Sequence, residues 1–191
     1  LKYFINFIIY DIKYKRIILK GEKMEVWDIL DENGNITGET MCKGDKKVWE
    51  EGIYHQGVDA WIINSENKIL IQKRSPKKKL EPNVWAMTGG SVIKGETLLE
   101  ALKRETLEEL GIELKVENAI KMARYKTDNI WTEEYLIKQD VDLNKIIMQE
   151  DEVSEVKFAT FDEIEEIFKN GMFIKERWEF VREKIKEYIE K

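Results

Sequence analysis

Apolar residues recur at helical spacing between residues 98 and 110, the most regular stretch of the chain. Leu98, Leu99, Leu102, Thr106 and Leu110 share one stripe, as in a helix that packs one face on a core. Thr97 followed three residues later by Glu100 is a capping-box arrangement, and Gly111 suits the residue just past a helix end. The pattern predicts a helix that begins after Thr97 and ends before Gly111.

Strand-like segments flank this helix on both sides. From Met24, an alternating run, the turn dipeptide Asn33-Gly34 and a returning run predict an N-terminal β-hairpin. Further strands are predicted at residues 57–64, 68–74, 85–90, 113–127, 129–139 and 155–160. Helices are predicted at 161–170, ended by Gly171, and at 173–191, whose apolar residues recur at helical spacing. Strands on both sides of a helix favour the α/β fold class.

Three carboxylates lie beside the apolar stripe of the predicted helix. Glu105, Glu108 and Glu109 are related as i, i+3 and i+4, so they are neighbours on the helix surface. Like charges repel at that separation, whereas Mg²⁺ binds carboxylate oxygens, waters and substrate phosphates together. A solvated acidic face is the alternative for any Glu-rich helix. The glycine pair before the loop that ends at Glu96, and Arg104 directly before the first clustered Glu, favour the metal site.

The stretch from Gly90 to Ile112 resembles the signature of the Nudix hydrolases, which include the MutT-like enzymes. The matching positions are Gly90, Glu96, Arg104-Glu105, Glu108-Glu109, Gly111 and Ile112, and Thr106 stands where an aliphatic residue is usual. The resemblance implies the Nudix fold, a mixed β-sheet sandwiched between α-helices in an α/β/α arrangement. It also implies an Mg²⁺-dependent hydrolase, with Mn²⁺ as an alternative ion. Such an enzyme cleaves the pyrophosphate bond of a nucleoside diphosphate linked to another moiety.

The resemblance implies a role for each signature residue. Glu105, Glu108 and Glu109 would hold the metal, joined by the backbone carbonyl of Gly89 or Gly90. Glu108 or Glu109 would also act as the general base. Arg104 would orient the cluster by charge-assisted hydrogen bonds rather than touch the substrate. Glu96 would anchor the loop, with metal contact as the lesser alternative.

Two charged segments outside the signature are weaker candidates. Lys73, Arg74 or the lysine-rich loop after them would supply positive charge to substrate phosphates, although a solvated loop is the favoured interpretation. The acidic loop at residues 140–152 offers Glu150 or Glu152 as an additional base, and here too a solvated loop is favoured.

The rarest polar residues set further limits. His55 and Asp59 would face a substrate pocket or serve as satisfied structural residues, and the structural interpretation is favoured. Cys42, the single cysteine, excludes an internal disulfide and favours a reducing, cytoplasmic environment. A lone cysteine without a suitable partner nearby is more often inert than nucleophilic. A single histidine excludes a two-histidine metal motif.

Composition narrows the partners. A net charge of −6 argues against general nucleic-acid binding but not against a small phosphorylated substrate, since Mg²⁺ bridges two anions. No apolar run is long enough to predict a membrane span. The length suits one domain over residues 24–191. Residues 1–23 have no clean period, and Lys-Gly-Glu-Lys before Met24 could be encoded by a purine-rich ribosome-binding site, so we expect a non-native or disordered extension there. An added strand or helix is the alternative.

Three other functions compete with the hydrolase. The segments before and through the glycine loop also resemble isopentenyl-diphosphate isomerases, which share the Nudix fold. Those isomerases depend on a cysteine near this segment and on histidine ligands, whereas Met87-Thr88-Gly89 carries no cysteine and Asp59 stands where a histidine is wanted. A non-catalytic nucleotide-binding sensor need not keep the carboxylate cluster. An interaction module or homodimer would use the aromatic face of the last helix. Substrate identity is not readable from the sequence.

Overall fold

The computed structural model describes residues 8–11, 16–19 and 22–191. The strands are β1 Ile8–Asp11, β2 Arg16–Leu19, β3 Glu22–Met24, β4 Val26–Leu30, β5 Ile36–Cys42, β6 His55–Ile63, β7 Ile69–Arg74, β8 Trp85–Ala86, β9 Thr88–Ser91, β10 Ile120–Lys126, β11 Ile130–Lys138 and β12 Val153–Ala159. The helices are α1 Leu98–Leu110, α2 Phe161–Lys169 and α3 Lys175–Ile189. In the part of the chain so described, no helix has the length and apolarity needed to span a membrane.

A seven-stranded mixed sheet forms the centre of the molecule. Its strand order is β10-β11-β6-β7-β12, with β8 paired to β7 and β9 paired to β6. Strands β11 and β6 are parallel, whereas the other pairs are antiparallel. Strand β6 is buried on both faces and therefore reads as a nearly continuous apolar run.

Helices cover both faces of this sheet, which confirms the predicted α/β/α arrangement. Ala60 and Ile62 of β6 pack with Leu102 of α1 on one face. Successive strand residues point to opposite faces of a sheet, so Trp61 lies on the other face. There it packs with Trp178 of α3. The predicted aromatic face of the last helix is thus part of the protein's own core.

Helix α1 begins and ends where the sequence predicts. The side chain of Thr97 accepts from the Glu100 backbone N–H, and the Glu100 side chain accepts from the Thr97 backbone N–H. Gly111 adopts a left-handed conformation with φ 70°, which favours glycine. Burial extends beyond the predicted stripe, because Arg104 and Glu109 are buried as well.

The predicted β-hairpin is confirmed as the antiparallel pair β4-β5. Asp31 stabilises the connection, since its Oδ1 accepts from the backbone N–H groups of Asn33 and Asn35 at 2.8 and 2.9 Å. Strands β1, β2 and β3 form a separate antiparallel sheet. Residues 1–7, 12–15 and 20–21 lie outside the described residues. A native start at Met24 and a single domain over 24–191 stay predictions.

The strand predicted at residues 85–90 is two short strands, β8 and β9, which pair with β7 and β6. Two predicted boundaries are also wrong. The strand predicted from residue 113 begins at Ile120, because Leu114 is buried against α1 and the Lys115 N–H donates to the side chain of Gln139 at 2.8 Å instead of to a strand. The helix predicted from residue 173 begins at Lys175. The segment before it pairs with β8, where the Ile174 N–H donates to the Trp85 carbonyl at 2.9 Å.

Candidate active site

One cavity of about 540 Å³ lies between α1, strand β9 and two loops. Most of its polar lining comes from charged side chains. The residues with charged side chains that line it are Glu25, Lys43, Asp59, Arg74, Lys78, Glu81, Glu105, Glu108, Glu109, Glu152 and Arg177. The three carboxylates of the α1 cluster are all in this set, so their i, i+3, i+4 spacing does place them at one site.

Strand β9 lies directly against the acidic face of α1. A Cβ atom at Gly90 would collide with the Glu105 carboxylate, so any larger residue there would displace this member of the cluster. Gly89 and Gly90 both line the cavity beside the cluster. That the backbone carbonyl of Gly89 or Gly90 joins a metal shell stays a prediction.

Arg104 ties the loop before α1 to the helix and does not line the cavity. Its Nε and Nη2 donate to the two carboxylate oxygens of Glu96 at 2.8 and 2.9 Å, and Nη2 also donates to the Ser91 carbonyl at 2.9 Å. Its Nη1 donates to Glu105 and lies 3.7 Å from a carboxylate oxygen of Glu108. Arg104 thereby positions two of the clustered carboxylates from behind.

Glu109 is buried at the inner end of the cluster. The Gln72 amide and the Thr88 hydroxyl both donate to its Oε2, at 2.8 and 3.0 Å. Burial raises the pKa of Glu109 to about 7, although these two hydrogen bonds lower it. Burial also raises the pKa of Glu105 to about 8, against the lowering effect of Arg104. Glu105 and Glu109, whose raised pKa values disfavour ionisation, therefore lie next to each other at the cavity wall.

The donor chemistry of this cluster fits a hard divalent cation. Carboxylate oxygens are the ligands that Mg²⁺ and Mn²⁺ prefer, and a cation would remove the penalty that keeps Glu105 and Glu109 protonated. Within the described ranges, no three carboxylate, imidazole or thiol groups converge closely enough to form a ready metal cage. The chain thus supplies the right ligand types on one face without holding them in coordination geometry.

The predicted basic residues separate into two groups. Arg74 lines the cavity, where its guanidinium donates to the carbonyls of Glu81 and Leu80 at 3.1 and 3.0 Å. Lys73 does not reach the cavity; its Nζ lies 3.9 Å from a carboxylate oxygen of Glu155 on β12. Lys78, from the lysine-rich loop, does line the cavity. It forms an ion pair with Glu152.

The acidic loop reaches the site because α1 anchors it. The backbone N–H groups of Ile147 and Gln149 donate to the carbonyls of Leu110 and Glu109 at 3.0 and 2.9 Å. Glu152 lines the cavity, whereas Glu150 is exposed and contributes its carbonyl to the Ser75 hydroxyl at 2.8 Å. Of the two predicted additional bases, only Glu152 lies at the site.

Asp59 and His55 lie in different surroundings. Asp59 lines the cavity and accepts from Arg177 Nε at 2.6 Å. His55, the first residue of β6, is buried and does not line this cavity. It stacks on Trp27, with ring centroids 4.3 Å apart. Cys42 is half-buried at the end of β5 and does not line the cavity.

Sequence reasoning missed three side chains that contact the cluster or line the cavity. They are Gln72, Thr88 and Arg177. Gln72 carries a readable signal, since it is the uncharged polar residue that directly follows the apolar run of β7. Arg177 carries none, because 118 positions separate it from its partner Asp59.

Comparison with known proteins identifies the family. The NUDIX domain family model matches residues 53–183. An uncharacterised Nudix hydrolase of Listeria monocytogenes is 36% identical over 152 residues, which are 79% of this chain and 89% of that protein. Isopentenyl-diphosphate Δ-isomerase I of Camptotheca acuminata is 31% identical over 168 residues, or 75% of this chain and 70% of that protein.

Solved structures agree on the fold. A crystal structure of a Deinococcus radiodurans protein superposes with a TM-score of 0.68 at 24% identity, over 85% of this chain and 98% of that chain. The family predicted from the stretch between Gly90 and Ile112 is therefore confirmed. The chain belongs to the Nudix family, as a hydrolase that acts on phosphoanhydride bonds.

Proposed function

We propose that the protein uses Mg²⁺ to hydrolyse the pyrophosphate bond of a nucleoside diphosphate linked to another moiety. The observation that carries this proposal is that Glu105, Glu108 and Glu109 all line one cavity. Cationic side chains of Arg74 and Lys78 line the same cavity, which suits a polyanionic substrate.

The carboxylates divide into metal ligands and a proton acceptor. Glu105, Glu108 and Glu109, with a backbone group of Gly90, would hold Mg²⁺ or Mn²⁺. Bound there, the ion would polarise phosphoryl oxygens and lower the pKa of a coordinated water. Glu109 is the favoured general base, because it lines the cavity and both of its hydrogen-bond donors, Gln72 and Thr88, meet the same oxygen, Oε2. Glu108 remains the alternative within the cluster, and Glu152 the alternative outside it.

Arg104 and the surrounding cations act without entering the reaction. Arg104, bound to Glu96, Ser91 and Glu105, fixes the loop and the carboxylates as a positioning residue. Arg74 and Lys78 would contact substrate phosphates, and Lys78 takes the part first expected of Lys73. The Lys78–Glu152 ion pair must loosen for Lys78 to reach a phosphate.

Isomerisation of isopentenyl diphosphate is the second candidate, favoured by the Camptotheca relative. The expected cysteine is missing from this site, since Met87 and Thr88 precede Gly89 and Cys42 does not line the cavity. Hydrolysis is therefore the better-supported reaction.

A panel of diphosphate compounds tests the proposal. Each is incubated with the protein and Mg²⁺, or with a chelator, and the products are identified by chromatography. We expect Mg²⁺-dependent cleavage of at least one nucleoside diphosphate derivative and a loss of about 10²-fold or more in Glu108→Gln. Glu113→Gln, the same change at an exposed position just after α1, serves as the matched control.

Two outcomes would contradict the proposal. Full activity in both Glu108→Gln and Glu109→Gln would remove the cluster from the reaction. Conversion of isopentenyl diphosphate to its dimethylallyl isomer, without cleavage of any nucleotide, would establish the isomerase instead.

A further inference from the structure

Arg177 belongs to the first turn of α3 and lies at the wall of the active-site cavity. The segment before this helix is fixed to the sheet, since the Ile174 N–H donates to the Trp85 carbonyl at 2.9 Å. Trp178, the next residue along α3, is fully buried and packs against Trp61. The backbone that carries Arg177 is therefore held in place on both sides of the residue.

One nitrogen of the Arg177 guanidinium is bound, and the other two are not. Nε donates to Oδ2 of Asp59 at 2.6 Å, and Asp59 is only 4% exposed. Nη1 and Nη2 have no hydrogen-bond or ion-pair partner among the described residues. Neither nitrogen is buried, and the side chain is 22% exposed. Asp59 thus fixes the guanidinium, while its outer N–H groups remain available to a ligand in the cavity.

A counter-ion role for Arg177 does not account for this arrangement by itself. Asp59 lies opposite the buried Glu134 on the neighbouring strand, so a cation here offsets the charge of buried acids. The contact through Nε is sufficient for that purpose. The remaining N–H donors lie on two nitrogens of one plane, an arrangement that binds an oxyanion side by side.

The glycine pair of β9 lies between Arg177 and the carboxylate cluster. A Cβ atom at Gly89 would collide with the Asp59 carboxylate, whereas one at Gly90 would collide with the Glu105 carboxylate. Because successive strand residues point to opposite faces, the two carboxylates lie on opposite sides of β9. Both line the same cavity. A ligand there can therefore meet the cluster on one side of β9 and Arg177 on the other.

The cavity wall carries more acidic than basic side chains, so a phosphate must be held there by individual donors and not by net charge. The other lining cations are already engaged. Lys43 and Lys78 each form an ion pair with a glutamate, and the Arg74 guanidinium donates to two backbone carbonyls. Among the described residues of this wall, Arg177 is the cation that offers two adjacent nitrogens without a partner.

We propose that Arg177 binds a phosphate of the substrate directly, through Nη1 and Nη2, while Nε stays on Asp59. This inference rests on the proposed function for the presence of a diphosphate in the cavity. It adds a substrate-contacting residue from α3, outside both the signature helix and the lysine-rich loop. The ligand would then be held from two faces of β9, and not from the α1 side alone.

Titration calorimetry with methylenediphosphonate, a pyrophosphate analogue that is not hydrolysed, tests this contact. The analogue is titrated into the protein with excess Mg²⁺. Arg177→Gln removes the two nitrogens and should weaken binding about tenfold or more, because charge-assisted hydrogen bonds are lost.

Arg182→Gln is the matched control on the same helix. Arg182 lies near Glu165 and Glu183, at 3.6 and 3.7 Å, and does not line the cavity. Its replacement should change the affinity by less than about twofold, since it removes only partly exposed ion pairs.

Arg177→Lys keeps the test decisive if Arg177→Gln does not fold. Lysine retains a cation beside Asp59, but its contact with that carboxylate leaves no second nitrogen for the phosphate. This variant should fold and bind the analogue about fivefold or more weakly than the parent protein.

Nitrogen-15 NMR of the arginine side chains separates direct contact from a structural effect. The Arg177 Nη–H signals are assigned by their absence in Arg177→Lys. Addition of the analogue should shift them, because the phosphate oxygens accept from these groups. An ion pair with a structural role only would leave them in place.

The outcomes separate this inference from the proposed function. Unchanged affinity in either folded Arg177 variant, unshifted Nη–H signals, or no binding of the analogue to the parent protein would overturn the contact, even if Mg²⁺-dependent cleavage occurs. Binding that depends on Arg177, without cleavage of any compound in the diphosphate panel, would instead support the contact and refute the catalytic proposal.

Discussion

Glu109 and Glu134 are buried carboxylates on opposite sides of the central sheet, and only one of them lies at the cavity. Glu109 accepts from Gln72 and Thr88, and Glu134 accepts from Trp61 Nε1 and the Tyr125 hydroxyl. Burial raises the pKa of both groups. A displaced pKa alone therefore does not distinguish a functional acid from a structural one.

The distribution of the hydrogen bonds makes the distinction. Each oxygen of Glu134 has its own donor, and the residue is fully buried. Both donors to Glu109 meet the same oxygen, Oε2, and the residue lines the cavity. Glu134 is held as a closed structural unit, whereas Glu109 is held on one side and faces the site on the other.

Asp59 connects the two regions. It faces Glu134 across the β6–β11 pair and, after burial, is the main cause that raises the pKa of Glu134. Its own partner is Arg177, which lines the cavity. Glu134 thus lies beside Asp59, whose ion pair with Arg177 forms part of the cavity wall. Substitutions of Glu109 and Glu134 should separate the functional role from the structural one.

The largest expected effect is on turnover in Glu109→Gln, which should fall by about 10²–10⁴ if Glu109 is the base. Stability should change in the opposite direction. The pKa of Glu109 is raised from 4.5 to about 7, so the native state binds its proton more tightly than the unfolded chain does. The corresponding stability is present below pH 4.5 and is lost as the pH rises through 7.

Glutamine does not incur this loss and still offers one oxygen to Gln72 and Thr88. Metal-free Glu109→Gln should therefore be more stable than the parent protein at pH 8, by up to about 3 kcal/mol. Urea unfolding at pH 4.5 and 8 with chelator measures the difference. A variant that keeps its turnover, or that is less stable at pH 8, would remove Glu109 from its assigned role.

The opposite pattern is expected at Glu134, where substitution should lower stability and leave turnover nearly unchanged. Glu134→Ala leaves the Trp61 N–H and the Tyr125 hydroxyl buried without an acceptor, which should cost about 4 kcal/mol of unfolding free energy. Turnover per folded molecule should stay within about twofold, because Glu134 does not line the cavity. Chemical denaturation and kinetics well below the melting temperature give the two numbers.

Glu134→Gln is the matched control. Burial raises the pKa of Glu134, so an uncharged amide of the same shape is a mild replacement: its oxygen can accept from the Trp61 N–H and its NH2 can donate to the Tyr125 hydroxyl, which should restore most of the stability. Loss of turnover in folded Glu134→Ala would show that the two carboxylates are not separate in function.

Local sequence was sufficient for α1 and its carboxylates. The capping box, the apolar stripe and the spacing of Glu105, Glu108 and Glu109 all act within a few residues, so helix geometry alone brings them together. The β4–β5 hairpin was predictable for the same reason. Its turn residues are adjacent in the sequence.

The rest of the site depends on which strands become neighbours. Gln72 meets Glu109, and Arg177 meets Asp59, only after the sheet has formed and α3 has packed on it. Lys73 was the wrong lysine for the cavity wall because strand residues alternate between faces. Since Gln72 faces α1, Lys73 faces the opposite layer and lies over the Trp85 ring at 5.9 Å.

The smallest expected effect is on the pH dependence of stability and concerns His55. This residue is a buried base, whereas Glu109 and Glu134 are buried acids. Burial lowers its pKa from 6.5 to about 4, so between these values the unfolded chain binds a proton that the native protein does not. Its stabilising contribution is present above pH 6.5 and declines as the pH falls toward 4. Between pH 7 and pH 5 the loss attributable to His55 should be about 2 kcal/mol.

His55→Phe keeps a flat ring against Trp27 and removes the titrating group. The variant should lose less stability than the parent protein between pH 7 and pH 5, and the difference between their two slopes isolates the histidine from every carboxylate that titrates in the same range. Urea unfolding at half-unit pH steps measures both slopes. Parallel slopes would mean that His55 ionises equally in the native and unfolded states, and that its ring is not enclosed as the stacked pair with Trp27 requires.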